Sequence, residues 1–117
     1  MNISYEKILN NLIQNKLFDG KMFAVVEKSY ILWSKNFIIT TNGNYLVLSP
    51  FVIKNKPSLN GVEQINKSEI ESFEYSNNMF TMRKFKIKFK NGKTFSFITR
   101  DVEIQQRVKF LNQWLHI

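Results

Sequence analysis

A chain of 117 residues with no cysteine, one histidine and a formal net charge of +8 has room for one hydrophobic core. That inventory excludes disulfides and thiol nucleophiles, and it leaves nothing for a zinc site or a Ser-His or Cys-His pair. The sequence from Met1 to Asn15 is punctuated by Asn, Ser, Glu and Lys, and the most apolar stretch, Phe37 to Ile53, is broken by Asn42-Gly43-Asn44 and Pro50. Neither reads as a signal peptide or a membrane span. The expectation is a cytoplasmic protein, at most peripheral at the inner face of a membrane.

The first element is a helix from Tyr5 to Phe18. Tyr5, Ile8, Leu9, Leu12, Ile13 and Leu17 recur at three-to-four spacing and form one apolar stripe. Ser4 caps its start, without the acid of a capping box, and Asp19-Gly20 ends it. Such a stripe is read first as a helix packed on its own sheet, and second as a membrane-surface element.

From Lys21 to Arg100 the period changes to two. Met22 to Glu27 is a strand. Asn36 to Thr41 and Asn44 to Ser49 flank Asn42-Gly43, a hairpin signal, and Pro50 stops the second of them. Lys54 to Gly61 is a loop, followed by strands at Gln64 to Asn66 and Glu69 to Tyr75 and a turn at Asn77-Asn78.

The hairpin around Asn91-Gly92 is the most informative segment. Phe85, Ile87 and Phe89 alternate with Lys84, Lys86, Lys88 and Lys90, and beyond the turn Phe95 and Phe97 alternate with Thr94 and Ser96. A two-residue turn puts Phe95 and Phe97 on the lysine face. A loop of Lys90-Asn91-Gly92 with a glycine bulge instead pairs Phe89 with Lys93, Ile87 with Phe95 and Phe85 with Phe97. Because a one-residue slip flips a whole face, burial selects the second register. The other choice exposes two phenylalanines, at about 1.5–3 kcal/mol each.

Asp101 then caps a helix from Val102 to Trp114 or beyond. Ile104, Val108, Leu111 and Leu115 lie on one side, widened by Phe110 and Trp114, and Glu103, Gln106, Arg107 and Asn112 lie on the other. The whole is one domain: a helix to residue 19, an antiparallel sheet over 20–100 and a closing helix over 101–117. The class is α+β, mainly β, with about seven antiparallel strands in a partly open barrel capped by the C-terminal amphipathic helix.

This order resembles the pleckstrin-homology-like superfold, in particular short bacterial PH-like domains. The likeness is carried by Gly20-Lys21 before the first strand, the Asn36 to Ser49 hairpin, Ile65 to Phe73, and the Phe85 to Phe95 hairpin followed by a helix holding Trp114. It implies a binding scaffold. Members that bind phosphoinositides use bases in the first strand-to-strand loop. Here that loop, Glu27 to Asn36, offers Lys28 and Lys35 alone, so that ligand does not carry over.

Charge is distributed unevenly. From Ser76 to Arg100 stand Arg83, Lys84, Lys86, Lys88, Lys90, Lys93 and Arg100 with no acid, while Val62 to Tyr75 holds Glu63, Glu69, Glu71 and Glu74 against Lys67. The seven bases are the candidate site. Enzymatic constellations are missing: Asp19 and Asp101 are explained by helix ends, His116 reads as a solvated residue, and the glycines sit at turns without forming a phosphate loop. No cofactor or small-molecule substrate is expected. The expected partner is an anionic lipid surface, or an acidic or membrane protein. Nucleic acid is less favoured, because stacking needs aromatics on the lysine face. Stand-alone cationic PH-like proteins resemble immunity proteins against cationic leaderless bacteriocins, which gives the leading expectation. The alternative is a phage- or plasmid-encoded inhibitor that docks on an acidic or nucleic-acid-binding protein.

Overall fold

The computed structural model describes residues 5–29, 34–51, 59–77 and 83–117. Ser4, residues 54–58 of the expected loop, Asn78, and Phe80 and Met82 lie outside them. In chain order the elements are α1 (Tyr5–Gln14), β1 (Phe23–Ser29), β2 (Ser34–Asn42), β3 (Tyr45–Phe51), β4 (Glu63–Asn66), a 3-10 turn (Lys67–Glu69), β5 (Ile70–Ser76), β6 (Arg83–Phe89), β7 (Thr94–Thr99) and α2 (Ile104–Leu115). The seven strands form one antiparallel sheet in the order β4-β3-β2-β1-β7-β6-β5. It does not close into a barrel. Its two edges, β4 and β5, share no pairs although the 3-10 turn joins them directly.

Alternation sorts the side chains onto two faces. On the inner face Ala24, Val26, Ile39, Leu46, Leu48, Phe73, Phe85, Ile87 and Phe97 meet Ile104, Val108, Leu111 and Trp114 of α2 in one buried cluster. On the outer face Ile8, Leu12 and Phe18 pack on Ile38, with Phe23, Val25 and Phe51 around them. Most of the apolar stripe of α1, though not the exposed Tyr5 and Ile13, is therefore spent on the sheet. This explains why β2 and β3 carry adjacent buried pairs such as Ile38-Ile39 and Leu46-Val47: both of their faces are covered.

Three expected boundaries are corrected. First, α1 ends at Gln14 instead of Phe18. The Leu17 N–H donates to the Leu12 carbonyl (2.8 Å) and that of Lys16 to Ile13 (3.0 Å), with Lys16 at φ +59°. This is a Schellman closure with lysine in the left-handed position usually held by glycine. Asp19 does different work. Its carboxylate accepts from the Lys21 N–H, the Thr41 hydroxyl and the Gly43 N–H at 3.0–3.1 Å, fastening the entry to β1 onto the β2–β3 hairpin.

Second, the β2–β3 turn is centred on Gly43-Asn44 rather than Asn42-Gly43, with Asn42 opposite Tyr45 and Gly43 at φ +62°. Glycine at the first central position with positive φ is the II′ arrangement. Both registers keep every face, so burial does not choose between them. Contacts do: the Gly43 N–H reaches Asp19, and its carbonyl accepts from the Trp114 indole N–H at 2.8 Å. Pro50 does not stop β3, which runs to Phe51. Pro50 stands beyond the last β3–β4 pair, Leu48 with Glu63, where a missing N–H costs no bond to β4.

Third, α2 begins at Ile104. Asp101 acts one turn earlier, its carboxylate accepting the Glu103 N–H at 2.9 Å and pairing with Arg107. Arg107 also lies 5.0 Å from the centre of the Phe23 ring. The polar face of α2 is not simply solvated. The Asn112 side chain accepts from the Phe73 N–H and donates to the Phe73 carbonyl, both at 2.9 Å. One amide thus stands in for a neighbouring strand on the β5 edge.

Candidate binding surface

The basic face is built by the β6–β7 hairpin, whose register is the one burial selected. Phe85 opposes Phe97, Ile87 opposes Phe95 and Lys88 opposes Thr94. The Phe89 N–H donates to the Lys93 carbonyl (2.9 Å), the Gly92 N–H donates to the Phe89 carbonyl (3.0 Å), and Gly92 has φ +90°. Phe85 and Ile87 are fully buried and Phe97 nearly so. Lys84, Lys86 and Lys88 consequently share the opposite face, about 6.7 Å apart along the strand. Their cross-strand neighbours are Ser76, Glu74 and Ser72 on β5 and Ile98, Ser96 and Thr94 on β7. No aromatic ring stands in those positions.

The seven candidate bases do not form one surface. Arg83 opposes Thr99 in the row of alternate residues that includes Phe85 and Phe97, which turns it to the inner side. Lys90 and Lys93 are exposed at the hairpin tip, where the Lys90 N–H bonds the Glu69 carbonyl (3.0 Å) and Lys90 borders a cleft with Lys67, Glu71 and His116. Arg100 lies just past β7 and is exposed. Lys88 is paired with Glu74 at 2.7 Å. That hydrogen bond and the charge attraction of Glu74 hold its ammonium above the ordinary lysine pKa against an opposing desolvation, with a lesser contribution from Glu71. The acidic strand upstream thus reaches into the basic face and offsets one of its charges.

Lys28 and Lys35 oppose each other at the ends of β1 and β2. Their ammonium groups lie over the rings of Phe95 (5.3 Å) and Phe37 (5.6 Å), beside a cavity of about 190 Å³ that Leu48, Glu63 and Phe97 also line.

The arrangement missed in the sequence is a groove of about 310 Å³ at the junction of α1 with β1, β2 and β7, lined by Tyr5, Val25, Val26, Glu27, Asn36, Ile98, Thr99 and Arg100. It exists because β1 and β7 share a single pair, Glu27 with Ile98. The Thr99 hydroxyl then donates to the Val25 carbonyl at 2.7 Å, taking the place of a ladder bond. A continuous outer row crosses the seam: Ser76, Lys84, Ile98, Glu27, Asn36, Phe51.

Among the described residues no three His, Asp or Glu side chains gather as a metal site. No described helix is long and apolar enough to cross a membrane. A scan against models of known families finds no match, and a search of curated proteins finds no significant one.

Proposed function

We propose that this chain is a non-catalytic module that attaches to an anionic membrane surface through the outer face of β5–β7. The observation that carries this reading is the contrast across the sheet: lysines alternate with the inward-facing Phe85, Ile87 and Phe89 on β6, and four of their six outer cross-strand neighbours are serines or threonines, the others being Glu74 and Ile98, with no described helix over them. A PH-like scaffold is part of the proposal. The seven-stranded antiparallel sheet and the C-terminal helix packed into its inner face support it. The absence of rings from the cross-strand positions of Lys84, Lys86 and Lys88 favours a lipid surface over single-stranded nucleic acid, which binds by stacking.

The magnitude is modest. Lys84, Lys86, Lys93 and Arg100 contribute about 1 kcal/mol each near an anionic leaflet. Four such charges correspond to a Kd of about 1 mM. The apolar stripe of α1 is mostly buried on the sheet over β1–β3, away from these cations, and adds little to this.

Vesicle flotation across a salt series tests the reading. Binding to anionic but not neutral vesicles is expected, weakening as salt rises and lost when Lys84, Lys86, Lys88, Lys90 and Lys93 become Gln. Failure of the parent protein to bind, or binding indifferent to salt, overturns it. The biological use we propose is self-immunity, in which the module occupies anionic surface that a cationic leaderless bacteriocin requires. Expression in a sensitive strain checks this, and a strain left unprotected removes the immunity role.

A further inference from the structure

Four cations at millimolar strength need a second contact, and α1 cannot provide it. The groove at the β1–β7 seam opens onto the same outer face, next to Lys84. Its lining carries three chemistries at once. Arg100 has no partner among the described residues, and its planar fork suits two oxygens of a phosphate. Lys84, outside the lining, is the cross-strand neighbour of Ile98 and places a second cation beside the groove. On the other side of Ile98 the Glu27 carboxylate accepts the Ser34 hydroxyl through Oε1 (3.1 Å), which leaves Oε2 open. The Asn36 amide next to it makes no hydrogen bond among the described residues and is half-buried. Val25 and Ile98 supply apolar wall, and the Tyr5 ring, edge-on to Phe51 at 5.8 Å, closes the α1 side.

This combination selects against simpler ligands. A bare inorganic anion gains Arg100 but meets the charge of Glu27. An apolar ligand leaves guanidinium, carboxylate and amide without partners as it excludes water from them. A molecule with a phosphate at one end and adjacent hydroxyls at the other satisfies every group: phosphate oxygens on Arg100 and Lys84, and hydroxyl protons donated to Glu27 and Asn36. The groove volume, about 310 Å³, lies at the small end of ligand sites, the size of a headgroup.

We propose that this groove binds a polyol phosphate, presented as the phosphoglycerol headgroup of an anionic lipid. The inference rests on the membrane reading above, and the experiment separates the two. Binding is compared on vesicles of phosphatidylglycerol and of phosphatidylserine at matched mole fraction. General electrostatic attachment predicts equal affinities. The groove predicts about tenfold tighter binding to phosphatidylglycerol, the range of one or two hydrogen bonds to charged groups. Glu27→Leu should bring that ratio close to one while binding to phosphatidylserine persists. Arg100→Gln should also bring the ratio close to one, on a phosphatidylserine baseline weakened about fivefold because Arg100 is one of the four surface cations. The exposed position of Arg100 makes the second variant safe for folding.

Amide chemical shifts on the labelled protein provide an independent reading with soluble short-chain phosphatidylglycerol and with glycerol 3-phosphate. Shifts at Glu27, Asn36, Ile98 and Thr99 support the groove. The same shifts with glycerol 3-phosphate alone keep the chemistry and assign it to a soluble polyol phosphate. Equal affinities for the two vesicles, or shifts confined to residues 84–93, overturn the groove and leave the membrane reading standing. Binding to neither vesicle removes the membrane reading itself.

Discussion

The outer face of the sheet is two surfaces side by side. Over β1–β3 it is apolar and carries α1; over β5–β7 it is polar and basic, with no described helix over it. The same backbone geometry runs through both halves, so the difference lies in sequence pattern. Where a strand is covered on both faces its alternation disappears, as in Ile38-Ile39 and Leu46-Val47-Leu48. Where one face meets water the alternation is strict, as in the Lys-Phe-Lys-Ile-Lys-Phe run of β6. A two-residue period therefore reports one-sided burial, and its loss marks the landing site of a second layer.

The sharpest way to break this comparison is to mutate matched positions on the two halves. Leu12→Ala, on the sheet-facing side of α1, should lose about 2–5 kcal/mol of unfolding free energy, whereas Lys86→Ala should stay within about 0.5 kcal/mol. Urea denaturation measures both, and a small loss for Leu12→Ala would mean that α1 is not docked. Next in size, Asn112→Ala strips the β5 edge of its amide partner and should cost about 1–3 kcal/mol, with faster hydrogen exchange at the Phe73 amide.

A smaller effect of opposite sign is expected at Ser49. Its hydroxyl is buried on the outer face of β3 without a hydrogen-bond partner among the described residues. Ser49→Ala should gain about 1 kcal/mol, read as a rise in the urea midpoint, and a loss would reveal a partner. The smallest change in stability belongs to the exposed Lys88–Glu74 pair. Glu74→Gln should leave the urea midpoint unchanged yet raise affinity for anionic vesicles by about fivefold, because it frees one cation near the leaflet. Since the pair raises the Lys88 pKa, its small contribution holds throughout the neutral range. On the alkaline side it disappears as pH climbs through that raised value, above the ordinary lysine range.

Much of the fold was legible because burial penalises the alternatives. The β6–β7 register followed from Phe95 and Phe97, since the wrong pairing exposes both. The β2–β3 turn was misplaced because both registers keep the same faces, so only the tertiary contacts of Gly43 with Asp19 and Trp114 decide. The end of α1 was misplaced because Lys16 adopts a left-handed conformation that sequence rules assign to glycine. In the candidate site, parity alone places Arg83 with Phe85 on the inner side, a signal present in the sequence and not used. The groove gave no such signal. Tyr5, the β1–β2 pair Glu27–Asn36 and Arg100 are far apart in the chain, and the docking of α1 and the single β1–β7 pair bring them together.

That seam also orders events during synthesis. β1 stands at the centre of the sheet, yet its partner on one side, β7, is more than half the chain downstream. At about 5–20 residues per second, β1 through β4 emerge and can zip as a meander several seconds before β7 arrives to cover the open side of β1. Until then a long apolar strand presents an unpaired edge, the state from which chains associate wrongly. The last strand thus acts as the lock on a nascent half-sheet, and truncation before Thr94 should give a product that aggregates as it leaves the ribosome.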